Sequence, residues 1–181
     1  MLEKYVSKGS KKLRCGFTTG TCAAAASAGA ARMLLSGKVI ENITVITPSG
    51  NSVTVGLTDI KKENDYVSCA VQKDSGDDPD VTDKILVYST VSYEKSGITV
   101  DGGEGVGRVT KKGLKQQIGE AAINPVPRKM IEEQLKTAAS DYSYDGGLKA
   151  VISVPMGIQI AKKTFNPRLG IEGGISILGT T

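Results

Sequence analysis

The sequence contains no histidine and no tryptophan, and only two phenylalanines and three cysteines occur among its 181 residues. The lack of histidine excludes histidine-based triads and histidine-ligated metals, which leaves carboxylates, lysines, hydroxyls and thiols as acid–base groups. Cys15, Cys22 and Cys69 are odd in number and lack CxxC spacing, which argues against a disulfide framework and a structural zinc site. We therefore expect no metal site in the chain.

Long apolar runs are also missing. No stretch approaches the roughly twenty residues of a membrane helix, and no apolar signal core follows the lysine-rich start, so we expect a cytoplasmic protein without a membrane partner. The net charge is only +4 and aromatic residues make up 4% of the chain, a thin platform for base stacking, so nucleic acid is not expected either. The small net positive charge is compatible both with a small polyanionic ligand and with a solvated cationic surface.

What is present supports one hydrophobic core, since 39% of the residues are hydrophobic. Residues 1–13 are interpreted as a loosely held basic arm and residues 14–181 as a single domain. The segment patterns predict an α+β fold, with two main helices on a mixed sheet of about six to eight strands. A homo-oligomer is compatible with this sequence, which sets no oligomeric state.

An alanine-rich run to Leu35 predicts a helix that ends at Ser36 and Gly37. Thr19 or Thr21 would cap its start. Hydroxyls and free N–H groups at a helix start can form an anion site, so residues 18–21 could hold a carboxylate or phosphate. Ordinary capping is the alternative.

Alternating apolar residues predict a hairpin over residues 41–57 and strands over 67–71 and 85–91. Between the last two strands lies an acidic segment, 72–82, that contains Asp78. Its carboxylates could bind a hard cation, cap the turn and the next strand, or supply a general base. The spacing does not match an EF-hand loop.

Residues 100–110 join a β-like run to a glycine-rich segment that carries Asp101, Glu104 and Arg108. Glycines there would let a ligand approach bare N–H groups, although glycine-rich turns between strands are also common. Asn124 begins a predicted helix that runs to about Ser140. A nearly continuous apolar run predicts a central strand over 148–154, and a last strand is predicted over 175–178.

Five segments together resemble the cobalt-precorrin-5B C1-methyltransferases of anaerobic cobalamin biosynthesis. They are GFTTGTCAAAA (16–26), VQKDSGDDPDVT (71–82), DGGEGVGRVT (101–110), INPVPRKMI (123–131), and AKKTFNPRLGI with GGISILGTT (161–181). Members of that family are longer by a second, Rossmann-like domain that is expected to bind S-adenosylmethionine. The resemblance thus implies that this chain is the amino-terminal, tetrapyrrole-binding part.

The resemblance also implies the reaction, a methylation of C1 of cobalt-precorrin-5B that gives cobalt-precorrin-6A. S-adenosylmethionine would be the co-substrate, bound mainly by the second domain, and cobalt would arrive with the substrate. Carboxylates on the tetrapyrrole would need cationic and neutral donors. The candidate substrate-binding residues are Arg14, Thr18, Thr19, Gly20, Thr21, Lys73, Gly103, Gly105, Arg108, Arg128, Lys162, Asn166 and Arg168. The candidate acid–base residues are Asp78, Asp101 and Glu104.

Two other functions stay open from the sequence. A phosphate- or nucleotide-binding enzyme could use the glycine-rich segment as an anion cradle. A non-catalytic anion-binding or assembly domain is the second alternative. Saturable tetrapyrrole binding would argue against both.

Overall fold

The structure, a computed structural model, describes residues 5–8, 11–164 and 166–179. Its helices are α1 (Thr19–Ser36), α2 (Pro125–Asp141) and α3 (Gly157–Ala161). Its strands are β1 (Tyr5–Lys8), β2 (Lys11–Arg14), β3 (Asn42–Ile46), β4 (Ser52–Gly56), β5 (Thr58–Lys62), β6 (Tyr66–Gln72), β7 (Leu86–Glu94), β8 (Ile98–Gly102), β9 (Gly105–Val106), β10 (Arg108–Val109), β11 (Gly147–Ser153), β12 (Ile171–Glu172) and β13 (Gly174–Ile175).

The main sheet has five strands in the order β5–β6–β7–β11–β8. Adjacent strands of this sheet are antiparallel except for β8 and β11, which are parallel, so the sheet is mixed. Helix α1 packs on β6, β7 and α2, and the core lies between these elements. The predicted α+β class is confirmed, and so is the central position of the strand expected over 148–154, which spans 147–153. The main sheet has five strands, fewer than the roughly six to eight expected, because the remaining strands pair in separate two-stranded sheets.

Helix α1 lies close against the sheet because its buried residues are small. Its alanines from Ala23 to Ala31 are fully buried, and a Cβ on Gly29 would come within 2.4 Å of the Leu57 side chain. Gly37 ends the helix with a φ of 70°, as predicted. The cap differs from the expectation, because the Thr18 hydroxyl, and not that of Thr19 or Thr21, accepts the bond from the Thr21 N–H.

The hairpin predicted over residues 41–57 is formed by β3 and β4, whose residues alternate between buried and exposed. Strand β5 follows at once and was not predicted, because four of its five residues are exposed and the strand therefore lacks an alternating apolar signal. The strand expected over 175–178 is shorter, with β13 ending at Ile175 and a single bridge joining Ile177 to Ile123.

The amino-terminal segment is more ordered than a loose arm. Strands β1 and β2 pair in register from Tyr5 with Arg14 to Lys8 with Lys11, and the Lys12 ammonium lies 5.0 Å from the centre of the Tyr5 ring. The division at residue 13 otherwise stays a prediction. Among the described helices, none has the length and apolar character needed to cross a membrane.

Candidate functional site

A cleft of about 1260 Å³ opens where several distant segments meet, among them the start of α2 and the segment in and after α3. Its volume exceeds the roughly 300–1,000 Å³ of ordinary small-molecule sites, so it suits a large ligand. The walls come from the β1–β2 hairpin, the start of α1, the turn of the β3–β4 hairpin, the loop after β6 and the segment after β13. The lining residues include Val6, Leu13, Arg14, Thr18, Thr19, Thr21, Thr47, Ser49, Asn51, Lys73, Ser75, Asp77, Asp78, Asp80, Asn124, Thr164, Asn166, Ser176, Leu178 and Gly179.

The start of α1 is closed by the chain itself and is not an open anion cradle. The Gly20 N–H donates to the Leu178 carbonyl at 2.7 Å. The Thr19 hydroxyl donates to the same carbonyl and accepts from the Leu178 N–H, each at 3.0 Å. The Thr18 and Thr21 hydroxyls lie 3.1 Å apart and still line the cleft. Capping, the alternative interpretation, accounts for these groups, and one of the two hydroxyls keeps its hydrogen for a ligand because the other donates to it.

Arg14 and Asp74 fasten the acidic loop to the β1–β2 hairpin. The guanidinium donates to both carboxylate oxygens, at 2.6 and 2.7 Å, and both side chains are largely buried. Through this hydrogen bond the guanidinium holds the pKa of Asp74 well below its usual range, and the carboxylate raises the pKa of Arg14. Arg14 lines the cleft, but its charge is matched within the protein, and its role in substrate binding stays a prediction.

Other carboxylates of the loop also serve its backbone. Asp77 accepts from the Arg14 N–H at 2.7 Å, Asp83 accepts from the Ser75 N–H at 2.9 Å, and Asp80 accepts from the Thr82 N–H at 2.8 Å. These bonds support the capping interpretation of the acidic segment. Within the described ranges, no three cysteine or acidic side chains are grouped so that they could hold a metal ion.

Asp78 differs from its neighbours in the loop. Its side chain lines the cleft, is exposed, and makes no hydrogen bond or ion pair with any side chain or backbone group in the described part of the chain. Of the three predicted acid–base residues, it alone lines the cleft.

Lys73 lies at the base of the same loop and is buried, with 3% of the residue exposed. Its ammonium donates to the Ser75 hydroxyl and, at 2.9 Å, to a carboxylate oxygen of Asp80. The backbone is fixed on both sides, because the Lys73 N–H donates to Ile85 and the Lys73 carbonyl accepts from Lys84, each at 2.9 Å. A buried ammonium costs free energy unless it is paired, and Asp80 supplies that pairing.

The glycine-rich segment lies outside the cleft lining and is used for internal packing. A Cβ on Gly105, whose φ is 72°, would be 1.7 Å from the Val154 carbonyl oxygen, and one on Gly103 would be 2.5 Å from the Ser153 hydroxyl. The Gly103 N–H donates to Ile152 at 2.8 Å. Close backbone approach therefore explains these glycines without a ligand.

The charged side chains of that segment, and Arg128 on the neighbouring helix α2, bond within the protein or lie outside the cleft. Arg108 donates to both oxygens of Asp101, at 2.7 and 3.1 Å, and the hydrogen bond lowers the pKa of Asp101, which makes it a weaker base. Glu104 is exposed and its carbonyl accepts from the Val154 N–H. Arg128 donates to the Val100 carbonyl at 2.6 Å.

Of the three predicted substrate-binding residues between 162 and 168, only one lies in the cleft lining. Asn166 lines the cleft, and its amide donates to the Gly174 carbonyl at 3.5 Å. Lys162 and Arg168 are exposed and do not belong to the lining. The cleft therefore receives two of the six predicted cations, Arg14 and Lys73.

Several lining residues were missed from the sequence. Thr47, Ser49 and Asn51 form the polar turn of the β3–β4 hairpin, and Asn124 and Ser176 reach the cleft from other segments. The composition of the turn pointed only to a turn, so nothing in the sequence marked these residues as part of a site. Their hydroxyls and amides make neutral donors more numerous in the lining than cations.

Two cysteines belong to the core beside this site. Burial raises the pKa of Cys22 and of Cys69 to about 12, which leaves both thiols protonated at neutral pH. A packing role fits both residues better than a nucleophilic one.

The chain belongs to the CbiD family, whose family model matches residues 6–181. The resemblance inferred from the five segments is thereby confirmed. The chain is 53% identical over 180 residues to the cobalt-precorrin-5B C(1)-methyltransferase of Ruminiclostridium cellulolyticum, which covers 99% of this chain and 47% of that protein. It is 55% identical over 171 residues to the enzyme of the same name from Geobacillus kaustophilus, covering 94% and 46%.

The fold is similar to the crystal structure of the cobalamin biosynthesis protein cbiD from Archaeoglobus fulgidus. The TM-score is 0.72 at 38% identity, and the match covers 98% of this chain and 56% of that one. The chain spans about half the length of the curated relatives that it matches.

Proposed function

We propose that this chain is the tetrapyrrole-holding part of an S-adenosylmethionine-dependent enzyme that methylates C1 of cobalt-precorrin-5B to give cobalt-precorrin-6A. One observation carries the proposal. Four of the five family segments, which contribute Thr18, Lys73, Asn124 and Ser176 among others, meet in one large cleft although they are far apart in sequence. The fifth segment lies outside the lining, and its strand β9 pairs with β13.

The chemistry of the cleft suits a large ring with polar edges. Aliphatic side chains of Val6, Val81 and Leu178 are exposed at its walls and offer apolar surface to the face of a macrocycle. Hydroxyls and amides between them offer hydrogen bonds to peripheral carboxylates. Methyl transfer to a ring carbon requires that this chain hold the tetrapyrrole in a fixed orientation and exclude water from it.

The internal contacts of the glycine-rich segment favour a methyl-donor site elsewhere in the protein. The N–H groups of two glycines of the segment are already used, since Gly103 donates to Ile152 and Gly107 donates to Ile175 at 2.9 Å. A Cβ on Gly107 would be 2.4 Å from the Ile171 side chain, so this part of the segment is packed against the chain itself. S-adenosylmethionine supplies an electrophilic methyl group when bound, and we assign its binding to the remaining half of the protein.

Asp78 is our candidate for the acid–base residue, because it lines the cleft and its carboxylate has no partner in the described residues. In the full-length enzyme, Asp78→Asn should lower kcat without weakening the binding of the tetrapyrrole. Asp101→Asn and Glu104→Gln are matched controls outside the cleft and should leave both quantities near wild type. Unchanged kcat for Asp78→Asn would remove the assignment.

Calorimetric titration of the 181-residue chain tests the proposed division of roles. Cobyrinic acid, a carboxylated cobalt corrinoid, should bind saturably, whereas S-adenosylmethionine should not bind. Binding of S-adenosylmethionine would place the donor site in this chain and contradict the division. Absence of corrinoid binding, or tight binding of ATP in competition with pyrophosphate, would contradict the tetrapyrrole role and favour the anion-binding alternatives.

A further inference from the structure

From the surroundings of Lys73, we infer that its ammonium is a carboxylate-binding subsite in the wall of the cleft, specific for one peripheral carboxylate of the bound ring. The inference rests on the proposed tetrapyrrole function and narrows it to a single donor. It also separates Lys73 from the other cations that the sequence suggested.

The first step is the count of donors on the ammonium. A lysine ammonium has three N–H donors and no acceptor. In the described residues it makes two hydrogen bonds, to the Ser75 hydroxyl and to Asp80 Oδ2. One donor therefore remains for a ligand, and the residue belongs to the wall of the cleft.

The second step is the state of the neighbouring charges. Arg14, the other cation of the lining, gives a forked pair of bonds to Asp74 and has its charge matched on both carboxylate oxygens. Asp80 divides its oxygens between the ammonium of Lys73 and the Thr82 N–H, and 34% of its side chain is exposed. The ion pair of Lys73 consequently uses a single carboxylate oxygen, and its partner Asp80 is partly exposed in the lining of the cleft.

The third step is rigidity. The backbone of Lys73 is held by Ile85 on one side and Lys84 on the other, and the side chain is almost completely buried. Little conformational entropy is lost when such a donor meets a ligand, and a buried charge pair is less screened than a surface one. A flexible surface lysine offers neither property.

A purely structural role is the competing explanation, in which Lys73 only ties the acidic loop to its strand. The two explanations differ in ligand selectivity. A structural tie affects folding and all ligands alike, whereas a carboxylate subsite favours an acid over its ester. The test therefore compares cobyrinic acid with its fully methylated ester.

The substitution is Lys73→Met, which keeps the length of the side chain and removes the charge, and Lys129→Met is the matched control. Lys129 is exposed on α2, where it pairs with Glu133 at 3.7 Å, outside the cleft. Loss of one hydrogen bond between charged groups should weaken binding of the acid about ten- to a hundred-fold. Lys73→Met should bind the ester as wild type does, and Lys129→Met should bind both ligands within about twofold of wild type.

A second measurement needs no substitution and covers the case in which Lys73→Met does not fold. In wild-type protein labelled with ¹⁵N-lysine, the side-chain ammonium signal of Lys73 should shift when cobyrinic acid is added and should not shift with the ester. Wild-type affinity for the acid in Lys73→Met, or an ammonium signal that does not respond to the acid, would overturn the subsite while leaving the tetrapyrrole function intact. If inorganic phosphate shifts the signal and cobyrinic acid does not bind, the anion subsite stands and the tetrapyrrole function falls.

Discussion

Gly105→Ala is the sharpest test of the internal role of the glycine-rich segment. Gly105 has a φ of 72°, and a Cβ there would be 1.7 Å from the Val154 carbonyl oxygen and 2.6 Å from its carbon. Its own carbonyl oxygen lies against Gly157 and Gly174, where added Cβ atoms would be 2.1 and 2.2 Å away. Three backbone segments therefore meet where no side chain fits.

Gly97→Ala is the matched control, because Gly97 has a φ of 77° and a Cβ there would have no neighbour within 4 Å. Both substitutions carry the left-handed backbone strain of an alanine, about 1–2 kcal/mol. Gly105→Ala adds the overlap with Val154, and overpacking costs about 1–3 kcal/mol more. The expected losses of unfolding free energy are thus about 1–2 kcal/mol for the control and about 2–5 kcal/mol for Gly105→Ala.

Urea denaturation followed by circular dichroism would measure both losses, and equal m-values would confirm that only stability has changed. Equal losses for the two variants would refute the packing argument. Loss of corrinoid binding in Gly105→Ala without the additional loss of stability would support the ligand-binding interpretation instead.

Three further predictions concern the loop, the helix and the thiols. Asp74→Asn should lower stability at neutral pH, and the difference from wild type should vanish as pH falls through the depressed pKa of Asp74, as acid titrations of both proteins would show. Ser27→Ala should lower the free energy of unfolding by about 1–3 kcal/mol, measured by thermal denaturation, because it leaves the buried Ser89 hydroxyl without its 2.8 Å partner. The double variant Ser27→Ala/Ser89→Ala should recover part of that loss. At pH 8 an aromatic disulfide reagent should label the half-buried Cys15 first, whereas Cys69 should react only after urea is added.

The helices and the main strands could be predicted because their signals are local. The alanine run of α1, its Gly37 end and the alternation in β3 and β4 are properties of short windows, and the structure reproduces them. Strand β5 was not predicted, because its residues are mostly exposed. Thr18 was not recognised as the helix cap, because several neighbouring threonines could equally serve. Choosing among them needs the backbone geometry.

The cleft could be predicted only in part, since its walls are joined by contacts between distant residues. Arg14 and Asp74 are 60 positions apart, and Thr19 and Leu178 are 159 positions apart. The glycine-rich segment was ambiguous for a physical reason: a ligand and a neighbouring backbone both require bare N–H groups and no Cβ. Only the positions of Val154 and Gly157 decide between them.

The closed start of α1 has a consequence for the ligand that the cleft can take. The Leu178 carbonyl occupies the positive end of the helix, and Asp74 neutralises Arg14, so neither can contribute a free positive charge. Lys73 remains as the cation with one N–H donor unused within the described residues, among many neutral hydroxyls and amides. A site of this kind selects its ligand by shape and by the position of a few carboxylates. Additional negative charge on a ligand would add little to the binding free energy, because the lining offers few cations and Asp78 repels anions.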